Sequence, residues 1–170
     1  MFLDETGTHL GLTRLYARSR RGQRAHGKIK RNRGGTLTTI AAVTLAGVQA
    51  AFALPGGTDG PAFLVFVRRV LVPSLRPGQT VVLDNLGAHK VEGVRQAIEG
   101  AGCSLLYLPP YSPELNPIEG CWSKVKAYLQ KVGARTTEAL ERAIADGLAL
   151  VTPKDLKGWF AHAGYRVESA

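Results

Sequence analysis

Apolar and polar positions alternate along the chain with two different periods. Val81-Val82-Leu83 is a short β-branched run ending at Asp84, with Pro77-Gly78 upstream and Gly87 downstream. It reads as a strand buried on both faces. Phe2-Leu3 before Asp4 has the same character; an ordinary strand is longer, so the first strand reads as clipped. Residues 36–46 and 49–54 are rich in Thr, Val, Ile and Ala and flank a glycine-containing turn, which predicts an antiparallel hairpin. Residues 62–71 set Phe63, Phe66, Val67, Val70 and Leu71 against Arg68 and Arg69, a helical period. A further helix over 91–101, ended by Gly102, and a fifth strand over 104–108 follow.

Pro109-Pro110-Tyr111-Ser112-Pro113 cannot be helical, because prolines lack a donor and hold their predecessors extended. It reads as a rigid connector. Asn116 suits an N-cap and Pro117 the first helical position, which predicts a helix over 117–131 with Glu119 in its first turn. Helical patterns over 138–150 and 153–163 close the chain. The order βββαβαβα indicates an α/β fold, and 170 residues suit one domain over 1–170.

At 45% hydrophobic residues the chain is too apolar for disorder. Its longest apolar stretch, 39–54, is interrupted by Thr44, Gly47 and Gln49; it suits two strands and not a membrane span. The N-terminus lacks the basic region and apolar run of a secretory signal, so a cytoplasmic location is the default expectation. Cys103 and Cys121 lack metal-ligand spacing and are expected to be reduced.

The formal net charge is +9, and one segment carries all of it. Between residues 6 and 58 there are nine basic residues (Arg14, Arg18, Arg20, Arg21, Arg24, Lys28, Lys30, Arg31 and Arg33) and no acidic one. Such a run is the electrostatic footprint of a polyanion partner such as a nucleic-acid backbone. A solvated arm that aids solubility is the plainer alternative.

Asp4 and Asp84 each follow a short apolar run. Alone, either could be a turn former or a cap. Glu119 also has a plain explanation, because Asn116-Pro117-Ile118-Glu119 has capping-box spacing. Yet the proline-rich stretch before it is stiffer than a cap requires, which suggests that the glutamate is being positioned.

Three ordered motifs sharpen this: Phe2-Leu3-Asp4-Glu5-Thr6-Gly7; Val82-Leu83-Asp84-Asn85-Leu86-Gly87-Ala88-His89-Lys90; and Leu108-Pro109-Pro110-Tyr111-Ser112-Pro113 through Asn116-Pro117-Ile118-Glu119. Together they resemble the mariner-type DDE transposases, in particular the bacterial insertion-sequence branch, whose spacing matches the 34 residues between Asp84 and Glu119. The resemblance implies an RNase H-like fold, a mixed five-stranded sheet flanked by helices. It places Asp4 on the first strand, Asp84 after the fourth and Glu119 on a following helix.

The resemblance also implies that Asp4, Asp84 and Glu119 are catalytic and hold two Mg²⁺ ions, for which Mn²⁺ can substitute. Paired divalent ions activate the attacking oxygen and stabilise the leaving one in phosphoryl transfer. The implied partners are DNA, as transposon ends and target, and a second copy of the chain; no membrane is implied. In a bacterial cytoplasm such a protein would associate with the nucleoid. Asn85 and His89 match the family's Asp-Asn-…-His pattern; each could contact DNA or water near the metals, or cap a loop. Asn116 reads as an N-cap before an active-site neighbour, and Trp122 as core before a stacking platform. Lys124 and Lys126 are open to phosphate contact or solvation. The family's N-terminal helix-turn-helix region is expected to be absent, since the chain begins almost at Asp4. Two competing readings remain: an inert DNA-binding remnant, and another RNase H-like nuclease.

Overall fold

The computed structural model describes residues 1–29 and 31–167; Lys30, one of the nine basic positions, lies outside them. Among the described residues five strands form one mixed sheet in the order β3-β2-β1-β4-β5. These are β1 (Phe2–Thr8), β2 (Leu37–Thr44), β3 (Gly47–Pro55), β4 (Thr80–Leu83) and β5 (Ser104–Tyr107). The first three pair antiparallel, β1 pairs parallel with β4, and β4 pairs parallel with β5. The helices are α1 (Gly60–Phe66), α2 (Val94–Gly100), α3 (Ile118–Val132), α4 (Thr137–Ala149) and α5 (Pro153–His162).

The first strand is not clipped. β1 is central, runs seven residues and carries Asp4 as its third. Thr6 and Thr8, both buried, extend it, and β-branched threonine packs well on a pleated surface. Thr8 Oγ1 also donates to the Leu37 carbonyl at 3.0 Å. The predicted hairpin is present, with a bulge between Ala42 and Val43. The helix expected over 62–71 begins as α1 and continues as a π turn (Val67–Leu71) and a 3-10 turn (Val72–Ser74). The α ladder is lost on the approach to Pro73, which has no N–H to continue it.

Successive residues of β1 face opposite sides of the sheet, so each side has its own core. Phe2 and Val82 pack with Ile118, Trp122, Val125 and Leu129 of α3, and with Leu140 and Phe160 from α4 and α5. Leu3 and Leu83 pack with Phe63, Phe66 and Ile98 on the other side. Cys103 and Cys121 are free and buried. Among the described residues no helix is long and apolar enough to cross a membrane.

Candidate active site

The parallel register pairs Phe2 with Val82, and the same register carried two residues further sets Asp4 beside Asp84. Asp4 is held within β1, whereas Asp84 follows the end of β4 and its side chain remains 42% exposed. The 109–117 connector returns the chain across this end of the sheet and starts α3, which carries the exposed Glu119 in its first turn. The three carboxylates line one cavity of about 320 Å³, together with Asn85, Asn116 and residues of the connector.

Their environments differ. Asp4 is 9% exposed. Burial pushes its carboxyl up to about 7, the charges of Glu119 and Asp84 adding to the effect and hydrogen bonds from the Glu5 backbone and the Trp122 indole opposing it. Asp84 is held below the usual carboxylate range, chiefly by His89 and also by the Leu86 amide. Asp84 Oδ1 lies 2.6 Å from His89 Nδ1, an off-axis ion-pair contact, and accepts the Leu86 N–H at 3.0 Å.

His89 sits in a 3-10 turn (Gly87–Lys90) and is fully buried. Its Nε2 lies 3.0 Å from Glu5 Oε2. Although burial opposes a charge on the ring, the contacts with Asp84 and Glu5 raise its pKa to about 9. A ring set against a carboxylate at each nitrogen is favoured as the cation by both neighbouring charges.

Three neighbouring carboxylates without a cation repel one another. Among the described residues no three His, Cys, Asp or Glu groups stand close enough together to hold a metal ion, although all three acids face the same cavity. The donor set is hard oxygen, which suits Mg²⁺ or Mn²⁺. Asp4, Asp84 and Glu119 are the residues that would hold such an ion.

Asn85 lies on the cavity wall. Asn116 departs from expectation: its side chain does not cap α3, whose N-cap position falls on Pro117 and has no side-chain hydrogen bond. The backbone carbonyl of Asn116 instead accepts the Glu119 N–H at 3.1 Å. Its buried Oδ1 has no hydrogen-bond partner among the described residues, and the residue lines the cavity. The capping box with Glu119 is likewise not formed, which leaves that carboxylate to the cavity. Trp122 is core, 2% exposed, and donates its Nε1 to Asp4 Oδ2 at 3.1 Å. Lys124 is engaged within the chain: its Nζ donates to Asp155 Oδ2 at 2.6 Å and to the Leu150 carbonyl at 2.8 Å.

Arg14, Arg18, Arg20, Arg21, Arg24, Lys28, Arg31 and Arg33 are all exposed on the segment between β1 and β2. The Leu10 N–H to Arg33 carbonyl bond (3.0 Å) closes its base. Arg135, beyond α3, reaches the Lys28 carbonyl at 3.4 Å. Two residues were not singled out from sequence. Glu5, in the middle of β1, holds His89; its signal was an acid inside a strand. Tyr111 is fully exposed at the cavity with a left-handed backbone (φ 56°), a conformation uncommon outside glycine.

Residues 1–141 match the family described as DDE superfamily endonuclease. No curated protein matches the chain. Among solved structures, the Mos1 transposase paired-end complex with left transposon end matches with a TM-score of 0.72 and 19% identity, over 96% of this chain and 55% of that one. The Mos1 strand transfer complex matches with a TM-score of 0.63 and 18% identity, over 98% and 55%. The Mos1 transposase catalytic domain with raltegravir and Mg matches with a TM-score of 0.61 and 16% identity, over 98% and 84%. The chain thus has the fold of that catalytic domain and spans about half the length of the first two chains.

Proposed function

Since the chain belongs to the DDE superfamily endonucleases, we propose that it is the catalytic domain of a mariner-type transposase of the bacterial insertion-sequence branch, cleaving DNA and joining strands through Asp4, Asp84 and Glu119. The observation that carries this is the convergence of three carboxylates from β1, the end of β4 and the start of α3 on one cavity. The 34 residues between Asp84 and Glu119 support the branch. Two bound Mg²⁺ or Mn²⁺ ions would supply the charge that activates an attacking oxygen and stabilises a leaving one in phosphoryl transfer.

The chain's own groups prepare the site. Trp122 orients Asp4 and His89 orients Asp84, while the stiff connector delivers Glu119. Asn85, and Asn116 with its unpartnered amide oxygen, are positioned to meet water or DNA at the cavity. The basic segment between β1 and β2 provides phosphate contacts along transposon-end or target DNA. The Mos1 paired-end complex with left transposon end and the Mos1 strand transfer complex, which share this fold, support DNA as the partner. A homodimer bound to DNA at the bacterial nucleoid is the assembly that follows by analogy.

The test is nicking of supercoiled plasmid in low salt with Mn²⁺, comparing the wild type with Glu119→Gln. Nicking by the wild type alone, abolished by chelation, supports the proposal. DNA binding without nicking by either protein would mark the chain as an inert DNA-binding remnant, and preference for an RNA–DNA hybrid would point to another RNase H-like nuclease.

A further inference from the structure

Building on the carboxylate site, we infer that Glu5 and His89 form a positioning pair that presents Asp84 to a divalent cation through one carboxylate oxygen. Asp4 and Glu5 are adjacent in β1 and so face opposite sides of the sheet. Asp4 lines the cavity, but Glu5 does not. Glu5 turns toward the α1 side, where its Oε2 meets His89 Nε2 at 3.0 Å. The other ring nitrogen lies 2.6 Å from Asp84 Oδ1. The imidazole thereby connects an acid behind the sheet to one at the cavity.

The ring has little freedom to do anything else. It is fully buried, and its centroid lies 4.3 Å from that of Phe63 in α1. Its own carbonyl accepts the Tyr107 hydroxyl at 3.0 Å, and its N–H bonds to the Leu86 carbonyl at 3.1 Å. A histidine that merely filled the core could be satisfied by backbone groups; this one sets both ring nitrogens against carboxylates, one within β1 and one just past the end of β4. The effect on Asp84 is asymmetric. Oδ1 is occupied by His89 and by the Leu86 N–H, whereas no hydrogen bond or ion pair is directed at Oδ2 among the described residues. Asp84 is otherwise half-exposed at a strand end, where an unsupported side chain would sample several rotamers. Outer groups that orient a ligand are typically worth ~10- to 100-fold in metal affinity.

Mn²⁺ titrations of the full chain, followed by the rise in melting temperature and in parallel by plasmid nicking, test this with wild type, Glu5→Gln, His89→Gln and Asp84→Asn. Glu5→Gln is expected to keep a saturable thermal response but to need ~10-fold or more Mn²⁺ for half of it. His89→Gln should show the same defect, and the double variant should be little worse than His89→Gln alone, because the two residues act in series. If His89→Gln does not fold, Glu5→Gln decides. A Glu5→Gln protein with a lower melting temperature in chelator but an unchanged Mn²⁺ midpoint would show a structural role only and overturn the inference. A wild type whose melting ignores Mn²⁺, like Asp84→Asn, would overturn the site reading and the inference with it.

Discussion

The indole Nε1 of Trp122 donates to Oδ2 of Asp4 at 3.1 Å, and both residues are buried where α3 crosses the sheet. This bond only partly offsets the cost of a carboxylate there, since burial and the nearby Glu119 and Asp84 still push Asp4 up to about 7. A raised acid stabilises the fold fully below its unfolded value of 3.8, and that contribution is lost as pH climbs to about 7. In chelator at about pH 8, Asp4→Asn, which keeps an acceptor for the indole, should therefore be more stable than wild type by roughly 1–3 kcal/mol, or several degrees in Tm. At about pH 4 the difference should vanish. Mn²⁺ should reverse the order by stabilising the wild type alone. Urea titrations at the two pH values decide; a less stable Asp4→Asn protein in chelator at high pH would contradict the account.

Gly120 lies on α3 next to Glu119, and a Cβ built there would stand 2.5 Å from the ring of Trp159 in α5. In an exposed helix Gly→Ala gains up to ~1 kcal/mol of propensity. Here the overlap dominates, so Gly120→Ala should cost roughly 1–3 kcal/mol. Removing the ring should relieve the clash, leaving Gly120→Ala much milder in a Trp159→Ala background. A double-mutant cycle measured by denaturation checks this, and additive effects would rule the contact out as the cause.

Much of the fold was legible because it is locally encoded. The Val81-Val82-Leu83 run stops at Asp84, and Asn116-Pro117 opens a helix on Glu119. β1 was read too short because Thr6-Gly7-Thr8 is not an apolar run, and its extended state comes from pairing with β2 and β4. Glu5 and His89 are 84 positions apart; no local period reports such a contact. The missing Asn116 cap and the partner of Lys124 were illegible for a related reason. The Asn116 backbone rather than its side chain serves the first turn of α3, and the partner of Lys124 lies on a different helix.

That partner, Asp155, also closes a capping box with Thr152 at the start of α5. Lys124, ahead of Thr152, holds its carboxyl well below the usual range. A depressed acid contributes stability above its unfolded pKa, and the contribution is lost as pH falls through the folded value. Asp155→Asn should therefore flatten the acid limb of the stability profile below about pH 4. At neutral pH, Thr152→Ala should cost ~1 kcal/mol through loss of the cap. Thermal melts from about pH 7 down to about pH 2 test both. An acid limb as steep in Asp155→Asn as in wild type would remove this pair from the account.

The basic segment between β1 and β2 makes a claim on salt dependence. Its described arginines and Lys28 are exposed, so substitutions there should spare the fold. Each phosphate neutralised on duplex DNA contributes about 0.9 to the slope of log affinity against log salt. If Arg20, Arg21 and Arg24 contact phosphate, the triple glutamine variant should weaken binding similarly on unrelated duplexes and reduce that slope by ~2–3. Lys154 and Lys157, exposed on α5, carry the same charge away from this segment; their glutamine variants should leave the slope unchanged. Fluorescence anisotropy over a salt series gives both numbers. An unchanged slope in the triple variant would reduce the segment to a solvated arm and move the search for the DNA path to the cavity rim, where Tyr111 stands exposed.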